Sequence, residues 1–257
     1  SVEFPGVMYG MSVTAGADFI KDSMDVKRYS DINRTARSFK GTVGKESLGG
    51  YARGEVFLLE SLVLSLSGRY DSALYSSDLD SGEDDERHSP FLWGAGINYI
   101  ISDTAKVYLK YEKVFRYPFL DEQIVYSGYG TDGFTEDLDP EKGHSFDAGF
   151  ETGFGKMVSA GVNFFYLIMQ DEIAYNNVTY LNENLSETLR YGIESTLTVK
   201  PLSFAKVTGA YCFTAAEFTD GVDDGNTVPM VPVHRFSIVP EVKIMKISRI
   251  YSEIIFS

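Results

Sequence analysis

The chain has 257 residues, room for one large all-β domain or two ordinary ones, and its net charge of −14 argues against nucleic acid as a partner, since phosphate binding needs clustered Lys and Arg. No run of about 18 apolar residues exists, so no helix crosses a membrane, and the single cysteine, Cys212, excludes a disulfide framework or a multi-cysteine metal site. With 14% aromatic residues, 24 glycines and eight prolines, the composition suits strands joined by tight turns. The start Ser1-Val2-Glu3-Phe4-Pro5 lacks the basic and apolar regions of a signal peptide, so a mature chain or an internal piece of a longer one is expected.

Gly6 to Ile20 reads as a first strand, Gly- and Val-rich. The polar stretch Lys21 to Lys45 has no sustained periodicity and is expected to be a long loop. Ser47 to Glu60 and Leu62 to Tyr70 follow as strands that meet at Glu60-Ser61. Ser76 to Ser89, with the acidic run Glu83 to Glu86, is expected to be a solvated loop; it lacks the spaced ligands and turn glycine of a calcium loop. Pro90 to Ile101 is the fourth strand, and Ser102-Asp103-Thr104 turns the chain tightly.

From Ala105 to Arg116 the alternation is strict, with Val107, Leu109, Tyr111 and Phe115 on one face and Lys106, Tyr108, Lys110, Glu112 and Arg116 on the other. A long loop, Phe119 to Lys142, precedes Ser145 to Phe154, where Phe146, Ala148 and Phe150 alternate with Ser145, Asp147, Gly149 and Glu151. A tight turn at Gly153 to Lys156 leads to Ala160, Val162, Phe164, Tyr166 and Ile168, which alternate with small and polar residues. Asn176 to Glu187 is a polar loop, Arg190 to Lys200 a strand, Pro201-Leu202-Ser203 a turn, and Ala205 to Phe218 a strand. Thr219 to Val233 is a loop and His234 to Ile244 the tenth strand.

Long and short connections thus alternate throughout, which puts every long loop at one end of an antiparallel sheet. Greek-key sandwiches scramble that order, whereas outer-membrane barrels keep it, with short periplasmic turns and long extracellular loops. One face aliphatic and aromatic, the other charged or small, suits lipid outside and water inside. The predicted class is all-β, an antiparallel up-and-down transmembrane β-barrel.

Four motifs carry a family resemblance. Tyr111-Glu-Lys-Val-Phe115-Arg116-Tyr-Pro118 leading to Leu120-Asp-Glu122, then Leu138-Asp-Pro140-Glu141 with Gly149-Phe-Glu151, then Arg190-Tyr191-Gly192-Ile193-Glu194, then Val231-Pro232-Val-His-Arg235, occur in order. They resemble the barrel segments of TonB-dependent outer-membrane receptors. The resemblance covers at least Pro90 to Val242. It implies a 22-stranded barrel filled by an N-terminal plug and energised through TonB. Neither plug nor TonB-contact segment is in this sequence, so the expectation is a segment of about 10–11 strands, with 1–244 as the barrel part and 245–257 as an atypical, Ile-rich tail. The expected function is uptake of a scarce ligand such as a ferric chelate (siderophore) across the bacterial outer membrane; the alternative is a self-contained outer-membrane pore of about 10–12 strands. Glu151 and Glu194 are expected to face the lumen, since ionised carboxylates against lipid are costly.

Candidate ligand contacts lie in the loop Phe119 to Lys142, where Tyr126, Tyr129 and Phe134 stand among glycines, with Arg116 at its base either to meet an anionic ligand or to pair with its Glu and Asp neighbours. Catalysis is not expected: His88, His144 and His234 are scattered, and no nucleophile motif accompanies them. No metal site or cofactor is expected. The expected partners are outer-membrane lipid, a small-molecule ligand such as a metal chelate, and, through the resemblance, TonB and the plug.

Overall fold

Alternation becomes sheet. The computed structural model describes residues 2–4, 8–80, 82–126, 132–134, 138–176, 178–244 and 248–257. Its long strands are β1 (Met8–Tyr29), β2 (Arg37–Leu59), β3 (Leu62–Leu79), β4 (Phe91–Ser102), β5 (Ala105–Arg116), β6 (Glu141–Phe154), β7 (Val158–Gln170), β8 (Thr188–Leu202), β9 (Ala205–Phe218) and β10 (His234–Ile244). Each pairs antiparallel with its neighbours in sequence, in one unbroken up-and-down sheet. The segment Val2–Phe4 pairs with β1, and Ser248–Tyr251 and Ile254–Phe256 both return along β10. The two ends of the sheet do not meet, so it is an open stretch of barrel.

Register fixes the faces. Opposite partners run Leu66, Ala95, Tyr111, Phe146, Tyr166 and Tyr191 from β3 to β8. One row nearer the tight turns come Leu64, Ile97, Leu109, Ala148, Phe164 and Ile193. Since cross-strand partners share a face, Val107, Leu109, Tyr111, Phe146, Phe150, Val162 and Phe164 lie together on one apolar outer surface, as expected. Leu66 and Phe164 are 63% and 53% exposed there, which in water costs hydrophobic free energy and in lipid does not. The opposite, inner face carries Asp147 against Lys110 and Glu151 against Lys106, and Glu194 joins it opposite Asn163.

Two expected loops are strands instead. Lys21 to Lys45 continues β1 and β2 to a turn at residues 30–36, and most of Ser76 to Ser89 belongs to β3 and to the strand Gly82–His88 beside it. β1 and β2 are 22 and 23 residues long, whereas about 9–11 residues cross a bilayer. The projecting halves invert their polarity. On the outer face Lys21, Glu46, Ser76, Asp78 and Asp85 follow where Val13, Leu48 and Leu66 stood lower down. On the inner face Phe39, Val43 and Leu79 form a buried cluster with Met24, Val26 and Leu120 packed against it. The apolar-out signal fails there because that part of the sheet meets water outside and a loop inside.

Short connections sit at the other end. Glu60-Ser61, Asp103-Thr104, residues 155–157 and Ser203-Phe204 link successive pairs. Gly155, at φ 61°, takes the left-handed conformation that the third of these turns requires.

Candidate functional site

The inner face at the long-loop end forms the candidate site, roofed by the described residues of the loop, 117–126, 132–134 and 138–140. Tyr117-Pro118 ends β5, as Pro118 has no N–H to give the ladder. The Pro118 carbonyl accepts a 2.8 Å hydrogen bond from the hydroxyl of Tyr75, a fully buried residue of β3. Tyr75 packs edge-on against Tyr117 and His88, at 6.3 and 5.7 Å between ring centroids. Leu138, at the loop's other end, is also buried. Burial, with help from the charge of Asp71, pushes the Tyr117 phenol up to about 12.

Arg116 ties this loop shut. Its guanidinium donates to both Glu122 carboxylate oxygens at 2.8 and 3.1 Å and to Glu141 at 2.6 Å, and lies 4.8 Å from the Phe119 ring centroid. Glu122 also accepts from the Phe119 N–H at 2.7 Å, and Glu141 from the Ile173 N–H at 3.0 Å. One arginine therefore joins the end of β5, the start of β6 and the next long loop.

Residues 171–187 complete the platform. Asn182 donates to the Glu122 carbonyl at 2.8 Å; Asn184 exchanges two hydrogen bonds with the Asp139 backbone, both 2.9 Å, and donates to the Asp171 carbonyl at 2.7 Å. Arg190 pairs with Glu172 at 2.8 Å, and Thr188 also donates to Glu172. Ala216, Phe218 and Val228 form a second small core there.

Below the roof, Arg69 reaches across β2 to Asp18 at 2.8 Å while its Nε holds Asp71 at 2.5 Å. Gly49 lies beneath: any Cβ there stands 2.2 Å from Arg69 Nη2. Nearer the tight turns, Lys106, Tyr108, Glu151, Asn163 and Glu194 line an open depression of about 710 Å³. In it the Asn163 amide donates to Asp147 at 2.9 Å and accepts from Tyr108 at 3.2 Å.

Of the residues singled out from sequence, Arg116 is placed by its two carboxylates. Tyr126 and Phe134 lie on a small hairpin, Ile124–Tyr126 with Asp132–Phe134, whose register sets Phe134 opposite Ile124 and Tyr126 opposite Asp132. Tyr129 lies outside the described residues. The hairpin runs close to β3 on one side and to Leu181–Asn184 on the other. Sequence reading missed Tyr75, Asn182 and Asn184, which hold the roof; a tyrosine in a strand and asparagines in a loop carry no distinguishing pattern. His144 faces outward and hydrogen-bonds Tyr111 at 2.8 Å, so it joins no acid at the inner site. Segments 117–140, 171–187 and 219–233 contain acids but no lysine or arginine, so their field favours cations over anions.

A profile of the TonB dependent receptor-like β-barrel family matches residues 3–242. No curated protein matches by sequence. Among solved structures, the ferric-catecholate import receptor Fiu of E. coli K12, closed form, superposes with a TM-score of 0.71 at 15% identity, over 92% of this chain and 40% of its own. The pyoverdine outer-membrane receptor FpvA of Pseudomonas aeruginosa PAO1, bound to pyoverdine, gives 0.72 at 15% identity, over 95% and 38%. The copper transporter OprC gives 0.70 at 15%, over 91% and 39%. The chain spans 38–40% of the length of these structures, and at such identity the likeness speaks to the fold. With the family profile spanning nearly every strand, the chain belongs to the TonB-dependent receptor β-barrel family.

Proposed function

We propose that this chain is the barrel part of an outer-membrane receptor that takes up a scarce ligand, such as a ferric chelate, with energy delivered through TonB and a plug. Its role is transport, not catalysis. The observation that carries the reading is the loop that follows β5, fastened at its base by Arg116 to Glu122 and Glu141, with the hairpin Ile124–Tyr126 and Asp132–Phe134 beyond that anchor. Tyr126, Tyr129 and Phe134 supply the ligand surface, and Arg116 holds that surface in place. In this reading residues 1–244 are the barrel segment and 245–257 a tail, of which Ser248–Tyr251 and Ile254–Phe256 pair along β10.

The alternative, a self-contained small pore, needs the first and last strands paired, and here each sheet end has one neighbour. Uptake separates the two. Cells carrying the full-length receptor are given radiolabelled iron on a panel of chelators, with and without TonB. One chelate is expected to accumulate only with TonB, and Tyr126→Ala with Phe134→Ala to lower its uptake about tenfold, as loss of an aromatic contact pair would. Entry that ignores TonB and simply follows solute size would replace the receptor with the pore.

A further inference from the structure

The outer face carries a ladder of rings that the uptake reading does not use. Trp93 of β4, Tyr111 of β5, Phe146 of β6 and Tyr166 of β7 stand side by side, with successive ring centroids 4.6, 5.0 and 6.5 Å apart. All four lie on the apolar outer surface, and the next same-face pair towards the long loops after Tyr111 and Phe146 is Lys113 with His144. Tyr and Trp collect at the interface in membrane barrels because an amphipathic ring satisfies both the apolar and the wet side.

Immediately beyond Tyr111, on the long-loop side, Lys113 of β5 and His144 of β6 are direct cross-strand partners on the same face. The His144 ring stacks over Tyr111, at 6.0 Å and 21°, and Nδ1 lies 2.8 Å from the Tyr111 hydroxyl. With the hydroxyl donating to Nδ1, the tautomer that the site requires, the imidazole proton is on Nε2, directed away from the ring. Lys113 has no ion-pair partner among the described residues, whereas nearby Lys142 is held by Asp171 at 2.7 Å. An ammonium and an imidazole thus sit side by side one step beyond the ring ladder on the same face.

We propose that Lys113 and His144 form a lipid-headgroup site, which binds a phosphate of an outer-leaflet lipid while the Trp93–Tyr166 ladder packs against its acyl chains. The occupant follows from charge and depth: two adjacent N–H donors above an aromatic step match an anionic group fastened to a hydrocarbon tail. A second Tyr–His pair, Tyr211 with His234 at 3.0 Å, has Phe213 where the first has Lys113, and serves as the internal control.

The inference rests on the outer-membrane part of the proposed function. The test uses the full-length receptor folded in detergent, titrated with a lipid carrying two headgroup phosphates and with the same lipid after the phosphates are removed. Wild type is expected to prefer the phosphorylated lipid about tenfold, by the attraction one or two cations give near an anionic surface. Lys113→Ala with His144→Ala is expected to abolish the preference, Lys113→Arg to keep it, and His234→Ala to leave it unchanged. Heat-modifiable gel mobility reports that each variant is folded. Equal binding of the two lipids by wild type, or an undiminished preference in the double variant, overturns the proposal, as does full competition by free inorganic phosphate. A receptor that binds neither lipid and shows no heat-modifiable form would instead fail the membrane reading itself.

Discussion

Glycines on the inner face are seats for rings from the next strand. Tyr51 lies over Gly16, Tyr108 over Gly149 and Phe165 over Gly192, each directly across the ladder. At Gly149 the three atoms nearest an added Cβ all belong to the Tyr108 side chain, with Cζ at 2.2 Å, and that side chain can swing away. At Gly192 it meets the Phe213 backbone carbonyl at 1.9 Å as well as the Phe165 ring, and the strand itself must shift. Gly192→Ala is therefore expected to destabilise the folded receptor by about 1–3 kcal/mol, and Gly149→Ala by clearly less, read as the temperature at which heat-modifiable mobility is lost. Equal losses would mean that the rings, not the backbone, set the cost. A second residue sets a pH limit. Asp31 accepts the Thr35 and Ala36 backbone N–H groups at the β1–β2 turn, the Ala36 bond being the largest influence, and these hold its carboxyl below the ordinary 3.8. A depressed carboxylate stabilises the turn above the unfolded value and loses that contribution as pH falls through the folded value. Corrected for the intrinsic pH dependence of exchange, amide protection at Thr35 and Ala36 should hold at pH 4 and fall below it; loss already between pH 6 and 5 would assign the protection to another group.

At the scale of the strand, polarity inversion marks where lipid ends. Leu66 and Ser76 lie on the same outer face of β3, yet one continues a greasy row and the other faces Gly44 and Asp85 among polar neighbours. Arginine at a lipid-facing midplane position costs about 2–4 kcal/mol and near the interface close to nothing. Leu64→Arg, on the same face one row farther from the polar extension than Leu66, should therefore cut stability by that amount in urea titrations of the refolded receptor, while Ser76→Arg leaves it within experimental error. If the two variants lose the same, the extension lies in the membrane and the inversion has another cause. The tall β1, β2 and β3 hairpins would then surround nothing, although Phe39, Val43 and Leu79 are buried beneath them and Leu120 packs against that cluster.

For the whole molecule, the open sheet is the governing fact. Val2–Phe4 and Ser248–Tyr251 end it without meeting, and unpaired N–H and C=O groups in hydrocarbon cost several kcal/mol each. Exposed edges in water invite association. The 257-residue chain refolded by itself in detergent is expected to give aggregates and no steady conductance in a planar bilayer. A heat-modifiable species with stable single-channel steps would show that the strands close on themselves and would favour the small pore. Strand curvature is the reason for the expectation, since diameter, tilt and shear are linked to strand number.

Sequence by itself determined the elements whose two faces meet different solvents. From Phe91 through Ile244, lipid outside and water inside impose a two-residue period, and alternation located β4 to β10 to within a few residues. The order of long and short connections then followed, and with it the topology. Tertiary structure decided everything past the membrane's edge. Lys21 to Lys45 and Glu83 to Glu86 look like loops because their outward residues are polar, and only the packing of Leu120 and Pro118 over the inner side shows why strands persist there. The same holds for the site. Arg116 stood out as a cation at the base of an aromatic loop with acidic neighbours, but whether it faces a ligand or fastens a loop depends on where Glu122 and Glu141 come to rest. Those carboxylates reach it from six and twenty-five residues away in sequence, a distance over which no local pattern carries information and only the fold brings charges together.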